Sequence, residues 1–98
     1  MEVFRYVTKE EDIRNLEGNK KTFRDLIGKI KNPKETVVEI DYSNIEDPQV
    51  STSAAIIFQK ILDGGFPKII ILSHKNQQEF MKNSLVKLLI NEKQLEFK

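Results

Sequence analysis

The chain has no cysteine, no tryptophan and a single histidine, and no apolar run nears the roughly 18 residues that a membrane-crossing helix needs. Without cysteine there is no disulfide framework, no thiolate metal site and no thiol chemistry. One histidine does not supply the clustered ligands of a typical zinc centre, so neither a metal site nor a cofactor is expected. Charge of one sign is missing too. Sixteen Lys and Arg against fifteen Asp and Glu leave +1, too little for a global field that draws in nucleic acid or an anionic membrane. The first residues, Met1-Glu2-Val3-Phe4-Arg5, lack the basic region and long apolar segment of a secretory signal, which points to a cytoplasmic protein. What is present is 98 residues, 39% hydrophobic and 32% charged. That is the length of one domain, and it excludes a two-domain enzyme.

Apolar periodicity divides the chain into alternating elements. Val3, Phe4, Tyr6 and Val7 form a β-prone run interrupted by Arg5, as in an edge strand. Residues 9–19 are charged and end in the turn pair Gly18-Asn19, leaving a loop, a second hairpin strand or a short helix open. Over 20–31, Phe23, Leu26, Ile27 and Ile30 fall at i, i+3, i+4 and i+7, the spacing of one helical face. Asn19 or Thr22 is placed to cap that helix, and Asn32-Pro33 to stop it. Thr36-Val37-Val38-Glu39-Ile40-Asp41-Tyr42 reads as a central strand.

Ser51-Thr52-Ser53 precedes Ala54, Ala55, Ile56, Ile57, Phe58, Ile61 and Leu62, a buried helix with its N-cap in front and Gly64-Gly65 behind. Ile69-Ile70-Ile71-Leu72 shows no alternation, as in a strand covered on both faces. A third helix starts near Ser73 or Asn76, with Phe80, Met81, Leu85, Leu88 and Leu89 inward, and residues 94–97 make a last strand. The expected fold is a single α/β sandwich over residues 1–98, its four-stranded sheet mainly parallel or mixed, with about three helices. Its core is expected to hold Phe23, Leu26, Ile27, Ile30, Val38, Ile40, Ile57, Phe58, Ile61, Ile70, Leu72, Phe80, Leu85, Leu88 and Leu89.

Few residues suggest chemistry. Glu39, Asp41, Glu46 and Asp47 are four carboxylates at a strand end, a place where magnesium binds or a phosphoryl group is accepted. No lysine constellation or nucleotide loop accompanies them, so a solvated polar turn is the plainer reading. Gly64-Gly65 follows a helix and lacks the phosphate-loop pattern. His74 has no nucleophile pattern nearby and reads as a loop or capping residue. Lys20, Lys21, Arg24, Lys29, Lys31 and Lys34 spread around a helix and its end among acidic residues, as a solvated face does. The hydroxyl triplet Ser51-Thr52-Ser53 is more informative, because a helix start carries free N–H groups and positive partial charge that favour capping oxygens or a phosphate.

The run Val37-Val38-Glu39-Ile40-Asp41-Tyr42-Ser43-Asn44-Ile45, then a loop, then Ser51-Thr52-Ser53-Ala54-Ala55 opening an apolar helix, resembles the STAS domains (sulfate transporter and anti-sigma factor antagonist). There a strand ending Asp-Leu-Ser-Gly-Val leads to Asp-Ser-Ser-Gly at a helix start. The strand around Ile69 to Leu72 and the following helix also fit. Ser51 stands where the family has aspartate, and Ala54 where it has glycine. The resemblance implies a non-enzymatic regulatory module of bacterial or phage origin that docks on a protein, often a histidine-kinase-like ATPase acting as a serine kinase or anti-sigma factor. Ser53 would align with the phosphorylated serine of the anti-sigma antagonists, with Thr52 as its neighbour.

The partner surface is expected over residues 43–50 and the following helix start, with Ile45, Asp47, Val50, Ser51 and Gln59 in contact. Ile45 and Val50 are apolar residues in a stretch that otherwise reads as solvated; the other reading folds both back onto the sheet edge. Two alternative functions stand beside this one. One is a small phage or mobile-element inhibitor of a bacterial effector, and the other a small metal-dependent enzyme using Asp41 and Asp47.

Overall fold

The computed structural model describes residues 2–63, 65–86 and 94–98. Four strands, β1 (Glu2–Val7), β2 (Thr36–Asp41), β3 (Lys68–Leu72) and β4 (Leu95–Phe97), form one sheet in the order β1-β2-β3-β4, and every pairing is parallel. The α-helices among the described residues are α1 (Glu10–Arg14), α2 (Leu16–Gly28), α3 (Pro48–Leu62) and α4 (Lys75–Val86). The single α/β domain expected from the element order is therefore present, with its sheet wholly parallel.

A parallel sheet whose strands follow one another in space as in sequence has a consequence. Right-handed crossovers between successive neighbours all return over the same face. The burial follows this. Phe4, Tyr6, Val38, Ile40, Ile69, Ile71, Leu95 and Phe97 alternate inward and pack with Ile13, Phe23, Ala54, Ala55, Phe58, Leu62, Met81 and Leu85 from the helices. The intervening residues, Val3, Arg5 and Val7 on β1, Val37, Glu39 and Asp41 on β2, and Lys68, Ile70 and Leu72 on β3, take the opposite face by the period of two.

Phe58 joins the layers. Its ring stacks on Phe23 of α2 at 4.3 Å, meets Tyr6 of β1 edge-on at 5.6 Å and lies 6.3 Å from Tyr42. Tyr6 in turn meets Phe23 edge-on at 5.0 Å. Two helices, strand β1 and the first residue after β2 thus share one aromatic cluster, in edge-on and stacked arrangements that aromatic quadrupoles favour.

The structure corrects several expectations. Of the readings left open for residues 9–19 the short helix is the one present, as α1, and α2 starts earlier than expected, at Leu16, capped by the Asn15 side chain accepting from the Gly18 N–H at 3.3 Å. Gly18-Asn19 is no turn, because Asn19 is buried and accepts the Tyr6 hydroxyl proton at 2.5 Å. That bond joins positions 13 residues apart and offsets the local preference of the pair. Burial raises the Tyr6 pKa, and the nearby Asp12 carboxylate raises it further, so the phenol stays a donor.

Among the described residues the apolar run of β3 is covered by helices on one face: Ile69 and Ile71 are buried in the core, while Ile70 and Leu72 are half-buried on the other side. Phe80 is 46% exposed, because α4 turns Gln77, Met81 and Leu85 inward at i, i+4 and i+8. Leu26 is half-buried and outside the core cluster, whereas Ile27, Ile30, Ile57 and Ile61 pack against it. Leu88, Leu89 and Gly64 lie outside the described residues.

Removing the shared ring opens a cavity beneath two helices. Phe58→Ala is expected to lower unfolding free energy by about 3–5 kcal/mol, read from urea denaturation.

A candidate partner-binding surface at the carboxyl end of the sheet

The segment between β2 and α3 is held from beneath at every step. The Tyr42 N–H continues the sheet by donating to the Leu72 carbonyl at 2.7 Å, and the chain then turns, the Ile45 N–H donating to the Tyr42 carbonyl at 3.0 Å. Asp41 clamps the turn by accepting from the Ser43 N–H at 2.8 Å and from its hydroxyl at 2.5 Å. Arg5 of β1 approaches the other carboxylate oxygen at 3.3 Å. Burial pulls the Asp41 pKa upward, but the two Ser43 bonds together with Arg5 outweigh it and hold the group below its ordinary value.

Ile45 is fully buried and enters the core. Gln77 of α4, also buried, donates to the Ile45 carbonyl at 3.0 Å and to the Glu46 carbonyl, strapping the turn to a helix more than 30 residues away. Asp47 caps α3 by accepting from the Gln49 N–H at 2.9 Å, and Pro48 takes the first helical position, where its missing N–H costs nothing.

This start of α3 differs from the sequence reading. Ser51-Thr52-Ser53 was expected as the cap, but the helix begins at Pro48 and the three hydroxyls lie within it. Asp47-Pro48 outcompetes them, because an aspartate cap and a proline at the first position are both pre-set for a helix start. Ser51 and Thr52 are buried and donate back to the Pro48 carbonyl at 3.1 and 2.6 Å. Ser53 donates to the Gln49 carbonyl at 2.9 Å and is exposed. It lies beyond the first turn, so a phosphate on it would not meet the free N–H groups of the helix start.

Of the expected contact residues, the structure leaves Asp47 exposed and Val50 half-buried, its side chain packed against the core. Ile45, Ser51 and Gln59 are buried, as is Thr52. Ile45 fails as a contact because the turn rolls it under the helices, and Gln59 because it sits one residue after Phe58 on a helix covered from two sides. Asn44, Glu46 and Gln49 are exposed and complete the surface with Asp47 and Ser53. Gln77 was missed by the sequence reading; the i, i+4, i+8 spacing of Gln77, Met81 and Leu85 was the signal that places it inward.

Asp41 and Asp47, the pair considered for a metal, do different work: one clamps Ser43 and pairs with Arg5, the other caps a helix. Among the described residues no three His, Cys, Asp or Glu side chains come together around a possible ion, and no helix is long and apolar enough to cross a membrane. Comparison with family models, with curated proteins and with solved structures finds no match to this chain. The resemblance to the STAS domains therefore rests on the motif and the element order.

Two measurements check this account. Ile45→Ala is expected to cost about 2–5 kcal/mol of stability, against a smaller loss for Val50→Ala, in urea denaturation. The second concerns pH. Asp41 has a folded pKa below its unfolded one, so its stabilising contribution is complete above the unfolded value of about 3.9 and is lost as pH falls through the folded value. Asp41→Asn should flatten the fall in stability between about pH 5 and pH 2, and an equally steep fall in the variant would remove Asp41 as its source.

Proposed function

We propose that this chain is a non-enzymatic regulatory module that docks a protein partner on the surface made by Asn44, Glu46, Asp47, Gln49 and Ser53. The observation that carries this reading is the support beneath the surface. Its exposed polar groups stand on a backbone pinned by buried Ile45, by Asp41 and by the Gln77 strap. A surface already ordered before contact loses less entropy on binding, and polar loops on rigid scaffolds are where recognition concentrates.

The finer reading follows the resemblance to the STAS domains: a cytoplasmic partner of the histidine-kinase-like ATPase class, and regulation by phosphate at Ser53. Its support is accessibility. Among the three hydroxyls Ser53 is the exposed one, whereas a kinase reaches Thr52 only by opening the helix. A phosphate adds about −1.5 to −2 charge at neutral pH. Close to Asp47 in sequence and without helix-start N–H groups, it would deepen an acidic surface and act on the partner by repulsion rather than by new bonds within the domain.

The test pairs partner capture with intact mass. The tagged chain is used to isolate its partner from the native cell, and the purified chain is then incubated with that partner and ATP. Gain of one phosphate, absent in Ser53→Ala, is the expected result. Ser53→Asp should stay within about 0.5 kcal/mol of the parent in stability, as exposed substitutions do, while weakening the complex. An unmodified mass together with unchanged binding by Ser53→Asp would end the phosphate reading, and full binding after changing Glu46 and Asp47 to Lys would move the docking surface elsewhere.

A further inference from the structure

The free edge of β1 lies at the side of the sheet, and the groove beside its first residues opens at the amino end, away from the surface just described. β1 pairs with β2 alone. The Thr8 N–H donates to the Asp41 carbonyl at 2.9 Å, so the even-numbered residues of β1 turn their backbone toward β2. By the same alternation Val3, Arg5 and Val7 turn their N–H and C=O groups outward, where no strand meets them among the described residues.

Natural sheets blunt such edges with short strands, proline, bulges or a charge standing across them. The other edge follows that rule, since β4 has three residues. β1 does not. It has six residues in unbroken register, with no proline. Its one cation, Arg5, folds over the sheet face toward Asp41 at 3.3 Å and Glu39 at 3.9 Å. Val3, 63% exposed, is the most exposed large apolar side chain among the described residues.

A groove of about 430 Å³ opens at the amino end of this strand, between Glu2, Val3 and Phe4, Leu26 of α2 with Lys29 to Asn32 that follow it, and Thr36 at the start of β2. Phe4, Leu26 and Ile30 are half-buried and make an apolar floor. Lys29 and Lys31 are exposed at the rim, where Glu2 is the single acid. An added strand would supply backbone bonds along its length and point alternate side chains to the groove side, which is how extended peptides gain affinity and selectivity together.

We propose that the β1 edge and this groove dock an extended segment of a partner protein that carries an apolar residue flanked by acidic ones. The segment pairs with the outward groups of Val3, Arg5 and Val7, sets its apolar side chain against Phe4, Leu26 and Ile30, and meets Lys29 and Lys31 with its carboxylates. The inference goes beyond the Ser53 surface and does not depend on it.

The probe is a blocked synthetic peptide, Glu-Val-Ile-Val-Glu, titrated into the isotope-labelled full chain and followed by NMR. Saturable shifts and slowed amide exchange at Val3, Arg5 and Val7, with shifts at Leu26 and Ile30, are expected. Val3→Pro removes an outward N–H while leaving the bonds to β2, a placement that edge strands tolerate, and should weaken binding about tenfold through the lost bond and its disturbed neighbours. Lys29→Glu combined with Lys31→Glu changes exposed side chains alone and keeps the test valid if the proline variant does not fold. It should weaken the acidic peptide about tenfold and strengthen a lysine-flanked version of the same sequence. No saturable binding, binding unchanged by the charge reversal, or a dimer of the free chain that buries the β1 edge would overturn the proposal. Loss of Ser53 phosphorylation has no bearing on these outcomes, so the two readings fail separately.

Discussion

The helices described between successive strands pack on the same face of the sheet, and the rest of the structure follows from that constraint. Strands laid down in sequence order and all parallel, joined by right-handed crossovers, bring them to that face. The helix layer must then bury all it can on one side. Phe58 of α3 does this by meeting Phe23 of α2, Tyr6 of β1 and Tyr42 just after β2. The fully buried residues Ile40, Ile45, Ile69, Ile71, Met81 and Leu85 fill the space around the ring cluster.

The second face is the physical problem this arrangement creates, because parallel sheets are ordinarily covered on both sides. Here long charged side chains do part of that covering. Arg5 reaches across from the edge to Glu39 and Asp41, and Lys68, opposite Val37, reaches Glu96, opposite Ile70, at 2.7 Å. Aliphatic stems lie over apolar surface while the charged ends meet one another and water. Exposed pairs of this kind contribute little stability individually. Their effect is to make a face without helices among the described residues compatible with water, and Arg5, turned over that face, leaves the outward backbone of β1 without a guard.

The two ends of the sheet are finished differently. At the carboxyl end, the hydrogen bonds that Asp41 accepts from Ser43 and that buried Gln77 donates to Ile45 pin the β2–α3 turn. At the amino end, Leu26 of α2 and the residues that follow the helix, Lys29 and Lys31 among them, line a groove beside the start of β1.

The amino-acid sequence by itself determined the class of the fold. The β-branched runs at Val37 to Ile40 and Ile69 to Leu72, the i, i+3, i+4 spacing around Phe23 and Ile27, and the apolar stretch from Ala54 to Leu62 are local signals whose periods differ between strand and helix, and each names its own element. The candidate site was legible in part. Asp47 and Ser53 are surface residues in the reading and in the structure, but Ile45, Ser51 and Gln59 are not. Tertiary structure alone decided which apolar turn residue turned inward, which of two possible caps opened α3, and that Gln77 and Asn19, polar residues in helices, were buried to satisfy distant partners. The physical reason is range. A period or a cap is written in neighbouring residues, whereas the buried carbonyl of Ile45 finds its donor in Gln77, 32 positions later, and no local pattern contains the free energy of a contact that folding has yet to make.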